Sequence, residues 1–146
     1  MEKIRVAIIG IGNCASALIQ GLEYYGNPAN NNTPEGMMAS NIGGYTASDI
    51  EVVAAFDVDQ RKVGKTLDRA IYAKPNCTIH IVEPEKFPKS NVIVEKGHIL
   101  DGISDHMKDY NTYPVDMAAK IPDATLFING SGYVSPTFPG SKADCR

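Results

Sequence analysis

The stretch VAIIGIGNCASALIQGLEYY, from Val6 to Tyr25, contains the pattern that decides the fold. It begins with β-branched and apolar residues, which is typical of a strand buried on both faces. Two glycines follow, and apolar residues then recur at the three- and four-residue spacing of an amphipathic helix. We therefore predict a strand over 3–9, a tight turn, and a helix over 13–25.

The turn has the sequence GIGNCA, which matches the G-x-G-x-x-G/A pattern of dinucleotide-binding turns. Its first glycine permits the sharp turn out of the strand, and its second lets the backbone approach a pyrophosphate because it has no Cβ. Free N–H groups at the start of the helix then face the anion. The pattern predicts a pyrophosphate site at Gly10, Gly12, Asn13, Cys14 and Ala15. An ordinary strand–helix turn is the alternative.

A second buried strand is predicted over 50–56, and it ends at Asp57. A right-handed crossover would place it beside the first strand, with both carboxyl ends at the same edge of the sheet. A carboxylate there can accept ribose hydroxyls and repels a 2′-phosphate. We therefore predict that Asp57 binds the ribose of NAD.

Asp57 also has an alternative interpretation, because it or Asp59 could cap a helix that we predict over 59–72. Both interpretations can hold at once, with Asp59 as the cap and Asp57 at the ribose. Arg61 and Lys62 follow closely and would weaken the preference for NAD over NADP. Asp57 also comes later than the roughly 20 residues usual for this motif. Segment 27–49, rich in Asn, Gly, Ser, Thr and Pro, accounts for the excess as a predicted loop insertion.

Further strands are predicted over 78–82, 91–95 and 125–128, and further helices over 100–110 and 115–121. The alternation of strands and helices predicts an α/β fold, a Rossmann-like, doubly wound and mostly parallel sheet. One dinucleotide-binding domain over 1–146 fits the length of 146 residues. The tail over 130–146 is poorly specified by the sequence.

Composition excludes several classes of function. The formal net charge is −3 and no basic cluster stands out, which argues against a nucleic-acid partner. No apolar run approaches the roughly 18 residues of a membrane span, and no signal peptide is evident, so no membrane partner is expected. The 3 cysteines are widely spaced, without metal-ligand spacing. We expect no metal and a reduced, cytoplasmic protein.

The chain resembles the myo-inositol-1-phosphate synthase family of actinobacteria and archaea. The resemblance rests on VAIIGIGNCASALIQGLEYY, on VVAAFDVDQRKVGKTLDRAI and on NVIVEKGHILDGISDHM, in that order, and on the long insertion between the first two. It covers about residues 3–117 and corresponds to the amino-terminal, NAD-binding part of the family.

The resemblance implies an isomerase of inositol and phospholipid biosynthesis. The family converts glucose 6-phosphate to inositol 3-phosphate, also called L-myo-inositol 1-phosphate, by internal oxidation with NAD, aldol cyclisation and reduction. Its catalytic lysines and most contacts of its homotetramer lie in a second domain. The resemblance therefore implies that this chain is truncated, inactive alone, and lacks the catalytic residues, which are expected beyond residue 146.

Two other hypotheses stay open from the sequence. The chain could be a stand-alone nucleotide-binding module without catalysis, since no catalytic constellation is recognisable in it. It could also be a fragment of another NAD-dependent dehydrogenase. The shared strings favour the synthase over the second of these.

Overall fold

The structure of the chain is a computed structural model that describes residues 2–30, 36–97, 109–110 and 126–129. Four strands form one sheet in the order β3-β2-β1-β4, and each neighbouring pair is parallel. The elements are β1 (Ile4–Ile9), α1 (Asn13–Gly26), β2 (Ile50–Asp57), α2 (Leu67–Ala70), β3 (Val94–Lys96) and β4 (Leu126–Asn129).

The strand order confirms the predicted α/β class and its parallel sheet. From β1 the chain builds outward through β2 to β3, and it then returns to the opposite side of β1 with β4. This is the strand order with which Rossmann folds begin. The order reverses between β1 and β4, and ligands of such sheets bind at the carboxyl ends of the strands beside that reversal. The glycine turn after β1 lies at this place.

The core forms where α1 packs on the sheet. Val6 and Ile8 of β1 are buried, and Ala15 and Ile19 of α1 lie in the same apolar cluster. The apolar run of β1 is thus explained by burial in a parallel sheet. Helix α1 also buries Gln20, whose Nε2 donates to Ser16 Oγ at 3.1 Å.

The predicted helix over 59–72 is wrong, because most of that segment forms turns and α2 covers only Leu67–Ala70. Gly64 adopts a left-handed conformation with φ +83°. Its N–H donates to Val94 O at 2.8 Å, and the N–H of Val94 donates to Lys65 O at 2.8 Å. The chain here pairs with the strand β3 and does not form a continuous helix.

The predicted strand over 78–82 is also wrong. The segment is irregular and lies beside α1, where the N–H of Ile81 donates to Gln20 Oε1 at 2.8 Å. The strand predicted over 91–95 is shifted to Val94–Lys96. The helix predicted over 115–121 and the tail over 130–146 lie outside the described residues, as does the helix over 100–110 except for residues 109–110.

Segment 27–49 is described except for residues 31–35. Within the described part it contains two short 3-10 helices, Pro28–Asn30 and Ala47–Asp49, and a bridge between Ile42 and Tyr45. Thr46 and Asp49 form a capping box at the second of these helices. Among the described residues of the whole chain, no helix has the length and apolar character needed to cross a membrane.

Candidate functional site

The glycine turn joins β1 to α1 at the carboxyl edge of the sheet. Gly10 has φ +85°, a conformation that residues with a Cβ rarely adopt. Its N–H donates to Phe56 O at 2.7 Å, which ties the turn to the end of β2. A Cβ placed on Gly12 would meet no atom within 4 Å. The turn is therefore sharply bent and faces open space at Gly12.

Helix α1 begins directly after Gly12, its N-cap, which makes no side-chain cap hydrogen bond. The first hydrogen bond of the helix runs from the N–H of Ser16 to Gly12 O at 2.9 Å. The preceding N–H groups at Asn13, Cys14 and Ala15 have no acceptor inside the helix, as at any helix start. The five residues of the predicted pyrophosphate site thus surround one exposed helix start.

Asp57 lies directly behind this turn. Its carboxylate Oδ2 accepts a hydrogen bond from the N–H of Ile11 at 2.6 Å. Its Oδ1 accepts a hydrogen bond from the N–H of Asp59 at 2.8 Å. The residue is 8% exposed. Each carboxylate oxygen has two lone pairs, so each retains acceptor capacity beyond the hydrogen bond named here.

A buried lysine binds the backbone carbonyl of the same residue, Ile11. Lys62 is 4% exposed. Its Nζ donates to Ile11 O at 2.7 Å and to Asn76 Oδ1 at 2.9 Å. It also lies 3.8 Å from Asp57 Oδ2. Burial lowers the pKa of Lys62, and the charges of Asp57 and Asp59 oppose that shift.

Asn76 completes this support, because its Nδ2 donates to Ile11 O at 3.1 Å and to Ile71 O at 2.9 Å. The N–H of Ile11 is thus held by Asp57, and its carbonyl by Lys62 and Asn76. The sequence did not identify this cluster. Lys62 was expected only to weaken the preference for NAD over NADP, whereas the structure places its amine on the carbonyl of Ile11 in the turn. Only folding brings Asn76 to Ile11, so no local pattern could have indicated it.

Asn13 uses its side chain to fix a neighbouring segment. Its Oδ1 accepts hydrogen bonds from the N–H of Cys77 at 2.8 Å and from Thr78 Oγ1 at 3.1 Å. Its Nδ2 donates to Cys77 Sγ at 3.5 Å. A contact from Asn13 to an anion would therefore come from its backbone N–H. No pattern in the sequence indicated these contacts between Asn13 and residues 77–78.

Asp59 and Arg61 form an ion pair next to Asp57. Arg61 Nη2 lies 2.7 Å from Asp59 Oδ2. Burial raises the pKa of Asp59, but hydrogen bonds from Arg61 outweigh burial and hold that pKa below its usual value. The carbonyl of Asp59 accepts from the N–H of Lys62 and of Val63, at 2.9 and 3.0 Å. Asp59 thus begins a turn, not the long helix that was predicted.

Lys96, at the end of β3, is a further buried cation at this edge. Its Nζ donates to Val58 O at 3.0 Å. Burial lowers its pKa, and the charges of Asp57 and Asp59 act in the opposite direction. Among the described residues, no group of three or more His, Cys, Asp or Glu side chains could hold a metal ion.

Comparisons with known proteins place the chain among named relatives. It is 44% identical over 130 residues to the inositol-3-phosphate synthase of Mycolicibacterium smegmatis, a match that covers 86% of this chain and 35% of the relative. It is 46% identical over 127 residues to the inositol-3-phosphate synthase of Corynebacterium glutamicum, covering 84% of this chain and 34% of the relative. The chain thus spans about a third of the length of these relatives. The resemblance to the synthase family is confirmed.

A solved structure is also similar. The crystal structure of Ari2 matches with a TM-score of 0.57 and 36% identity, covering 67% of this chain and 29% of that chain. No family model matches the chain.

Proposed function

Because the chain is a relative of one segment of the actinobacterial inositol-3-phosphate synthases, we propose that it forms the NAD-binding region of such an enzyme. The observation that carries the proposal is the glycine turn after β1 with Asp57 directly behind it. Gly10 has a positive φ, Gly12 faces open space, and Asp57 Oδ2 lies 2.6 Å from the N–H of Ile11. These features fit a dinucleotide cofactor.

In this proposal the N–H groups at Gly12, Asn13, Cys14 and Ala15 bind the pyrophosphate. They are a preformed set of donors at a helix start, where the helix dipole also favours negative charge. Gly10 sets the bend, and the missing Cβ of Gly12 admits the phosphate oxygens. Ala15 is buried, so its small side chain lets α1 lie close to the sheet.

Asp57 accepts the ribose hydroxyls of the adenosine half of NAD. Both of its oxygens are already positioned by backbone N–H groups, so the carboxylate loses little freedom when a ribose binds. Its charge repels a 2′-phosphate, which favours NAD over NADP. When bound, NAD supplies the hydride acceptor and donor for an internal oxidation and reduction.

We further propose that the whole protein to which this segment corresponds converts glucose 6-phosphate to inositol 3-phosphate. This activity is proposed from the names of the relatives, of which the chain spans about a third. No residue of the described part is assigned to the proton transfers or to binding of the sugar phosphate. The role of this segment is to bind and orient the cofactor.

Replacing Asp57 tests the cofactor site. In Asp57→Ala, NAD binding should weaken by about 1–3 kcal/mol, the scale of hydrogen bonds lost from a buried polar partner. Asp68→Asn is the matched control, because Asp68 is also a buried carboxylate but pairs with Lys89 at 3.9 Å, outside the turn. Calorimetric titration with NAD measures both. Equal affinity in Asp57→Ala and the unaltered chain would show that Asp57 is not the ribose ligand.

A chimera tests the proposed activity. This chain would replace the matching segment of the Mycolicibacterium smegmatis synthase, and product formation from glucose 6-phosphate would be followed. The proposal predicts inositol phosphate without net NADH, and loss of that product when the chimera carries Asp57→Ala. A folded chimera that binds NAD but forms no inositol phosphate would contradict the assignment to this reaction.

A further inference from the structure

Arg61 follows β2 closely, in the region where a cationic side chain can contact the 2′-phosphate of NADP in Rossmann folds. In the structure its guanidinium is directed to a carboxylate instead. Nε donates to Asp59 Oδ1 at 2.9 Å and to Oδ2 at 3.0 Å. Nη2 donates to Oδ2 at 2.7 Å. Such an arginine–carboxylate contact is both strong and specific in its geometry.

An aromatic ring covers the guanidinium. Its central carbon lies 3.8 Å from the centroid of the Tyr110 ring. Tyr110 is itself held in place, since its carbonyl accepts from the N–H of Gln60 at 2.7 Å. Gln60 Nε2 also donates to Asp109 O at 2.9 Å. Arg61, Asp59 and Tyr110 together form what we call the arginine clamp.

Moving Arg61 out of the clamp would leave the Asp59 carboxylate in an unfavourable environment. This residue is 1% exposed, so its carboxylate is almost removed from solvent. Removing the cation from a buried carboxylate is strongly unfavourable. Arg61 therefore cannot turn toward a phosphate without leaving Asp59 without that partner. The clamp resists the movement that recognition of NADP would need.

We propose that Asp59 is a specificity-determining residue, because it holds Arg61 against Tyr110 and so withholds the guanidinium from a 2′-phosphate. The inference rests on the proposed function, in which Asp57 binds the ribose. The two aspartates then favour NAD over NADP in different ways. Asp57 repels the 2′-phosphate directly, and Asp59 sequesters the cation that would attract it.

The test is a fluorescence titration of the 146-residue chain with NADH and with NADPH. Asp59→Asn keeps the shape of the side chain and an oxygen that can accept the N–H of Arg61, now 2.8 Å from Oδ1. It removes the charge that holds the guanidinium. We expect the Kd for NADPH to fall about tenfold, on the scale of one hydrogen bond to a charged group, with little change for NADH. Asp68→Asn, the matched control, should leave the ratio of the two Kd values unchanged.

A double variant separates release of Arg61 from simple loss of negative charge. Adding Arg61→Gln to Asp59→Asn should abolish the gain for NADPH. If the gain persists, it comes from the charge alone, and the proposal is overturned. If Asp59→Asn leaves the ratio unchanged while the unaltered chain binds NADH, the clamp has no role in specificity. If the unaltered chain binds neither cofactor, the proposed function itself fails, and this inference with it.

Should Asp59→Asn fail to fold, Tyr110→Leu opens the other side of the clamp with the ion pair intact. It should raise the affinity for NADPH by about threefold, on the scale of one cation–π contact. An unchanged ratio of the two Kd values in a folded Tyr110→Leu chain would overturn the proposal. Circular dichroism establishes folding in each case.

Discussion

Two connections leave neighbouring strands at the same edge of the sheet, and they are built in opposite ways. The turn over 10–12, after β1, carries one side chain, that of the fully buried Ile11, and it faces open space at Gly12. The connection over 58–66, after β2, carries the buried charges of Asp59 and Lys62. The first has the room that a ligand requires, and the second has the groups that fix the first in place.

The contact between them is made by the backbone of a single residue, Ile11. Ile11 donates its N–H to Asp57, and its carbonyl accepts from Lys62 Nζ. A turn that must stay open cannot be stabilised by side chains packed in front of it. Here it is stabilised from behind, by Asp57 at the end of β2 and by Lys62 of the connection that follows. Substitutions in the turn should therefore act mainly on NAD binding, and substitutions in the groups behind it mainly on stability.

Filling the open turn should abolish binding without unfolding the chain. In Gly12→Val, the new side chain occupies the space proposed for the pyrophosphate, and NAD affinity should fall by at least about 100-fold. Stability should fall by less than about 1 kcal/mol, because a Cβ at this position would meet no neighbouring atom within 4 Å and the main loss is at the N-cap. Calorimetric titration and thermal unfolding measure the two effects.

Gly21→Ala is the control for that substitution. Gly21 lies within α1, where a Cβ would approach Tyr25 Cδ2 at 4.0 Å, an ordinary contact. It should leave NAD binding unchanged and stabilise the helix by roughly 0.5–1 kcal/mol. Unchanged NAD affinity in Gly12→Val would mean that the turn is not the pyrophosphate site.

Removing the Lys62 amine behind the turn should act mainly on the stability of the chain. In Lys62→Met, Ile11 O loses a charged donor and Asp57 loses the cation that lies 3.8 Å from its Oδ2, so the free energy of unfolding should fall by about 2 kcal/mol. Urea denaturation measures it. Lys89→Met is the control, because the Lys89 side chain is 79% exposed and its ion pair with Asp68 should contribute less than about 0.5 kcal/mol. Equal losses in the two variants would contradict a special role for Lys62.

The contribution of the Asp59 carboxylate to stability should decrease in acid. The folded-state pKa of Asp59 lies below its unfolded value of 3.8, mainly because of hydrogen bonds from Arg61 that outweigh burial. Its contribution to stability is therefore present above pH 3.8 and is lost as the pH falls through the folded-state pKa. Thermal unfolding over about pH 5 to pH 2 should show a shallower acid decline in Asp59→Asn than in the unaltered chain. Parallel curves would argue against this assignment.

Removing the side-chain hydrogen bonds of Asn13 should have the smallest effect. Asn13→Ala removes hydrogen bonds to Cys77 and Thr78 that are exposed to solvent. Stability should fall by about 0.5–1 kcal/mol, and NAD affinity should change little, because the backbone N–H at this position is kept. A loss of NAD binding comparable to that of Gly12→Val would show that the side chain itself contacts the ligand.

The same comparison explains what the sequence could predict. The strand, glycine turn and helix over 4–26 follow from a local pattern of apolar residues and glycines, and the structure contains them. The segment over 59–72 could not be predicted in this way. Gly64 and Lys65 bond there to Val94 of β3, a partner far along the chain. The possible N-cap at Asp59 indicated a helix, and the distant pairing with β3 overrode it.

The strand predicted over 78–82 failed for a related reason. Its alternating apolar residues are typical of a strand, but Ile79 is largely exposed and the N–H of Ile81 bonds to a side-chain oxygen of Gln20. The charged support of the turn was missed as well. Lys62 and Asn76 meet Ile11 only after folding, and neither lies in a motif.

An amide NMR titration of the nitrogen-labelled chain with NAD shows directly whether the glycine turn binds the cofactor. If it does, saturable shifts should be concentrated at the amides of residues 10–15 and at Asp57. Glucose 6-phosphate alone should leave those amides unchanged. Saturating NAD that leaves the amides of the glycine turn unperturbed, while the chain is folded, would contradict the assignment of this segment as the NAD-binding region.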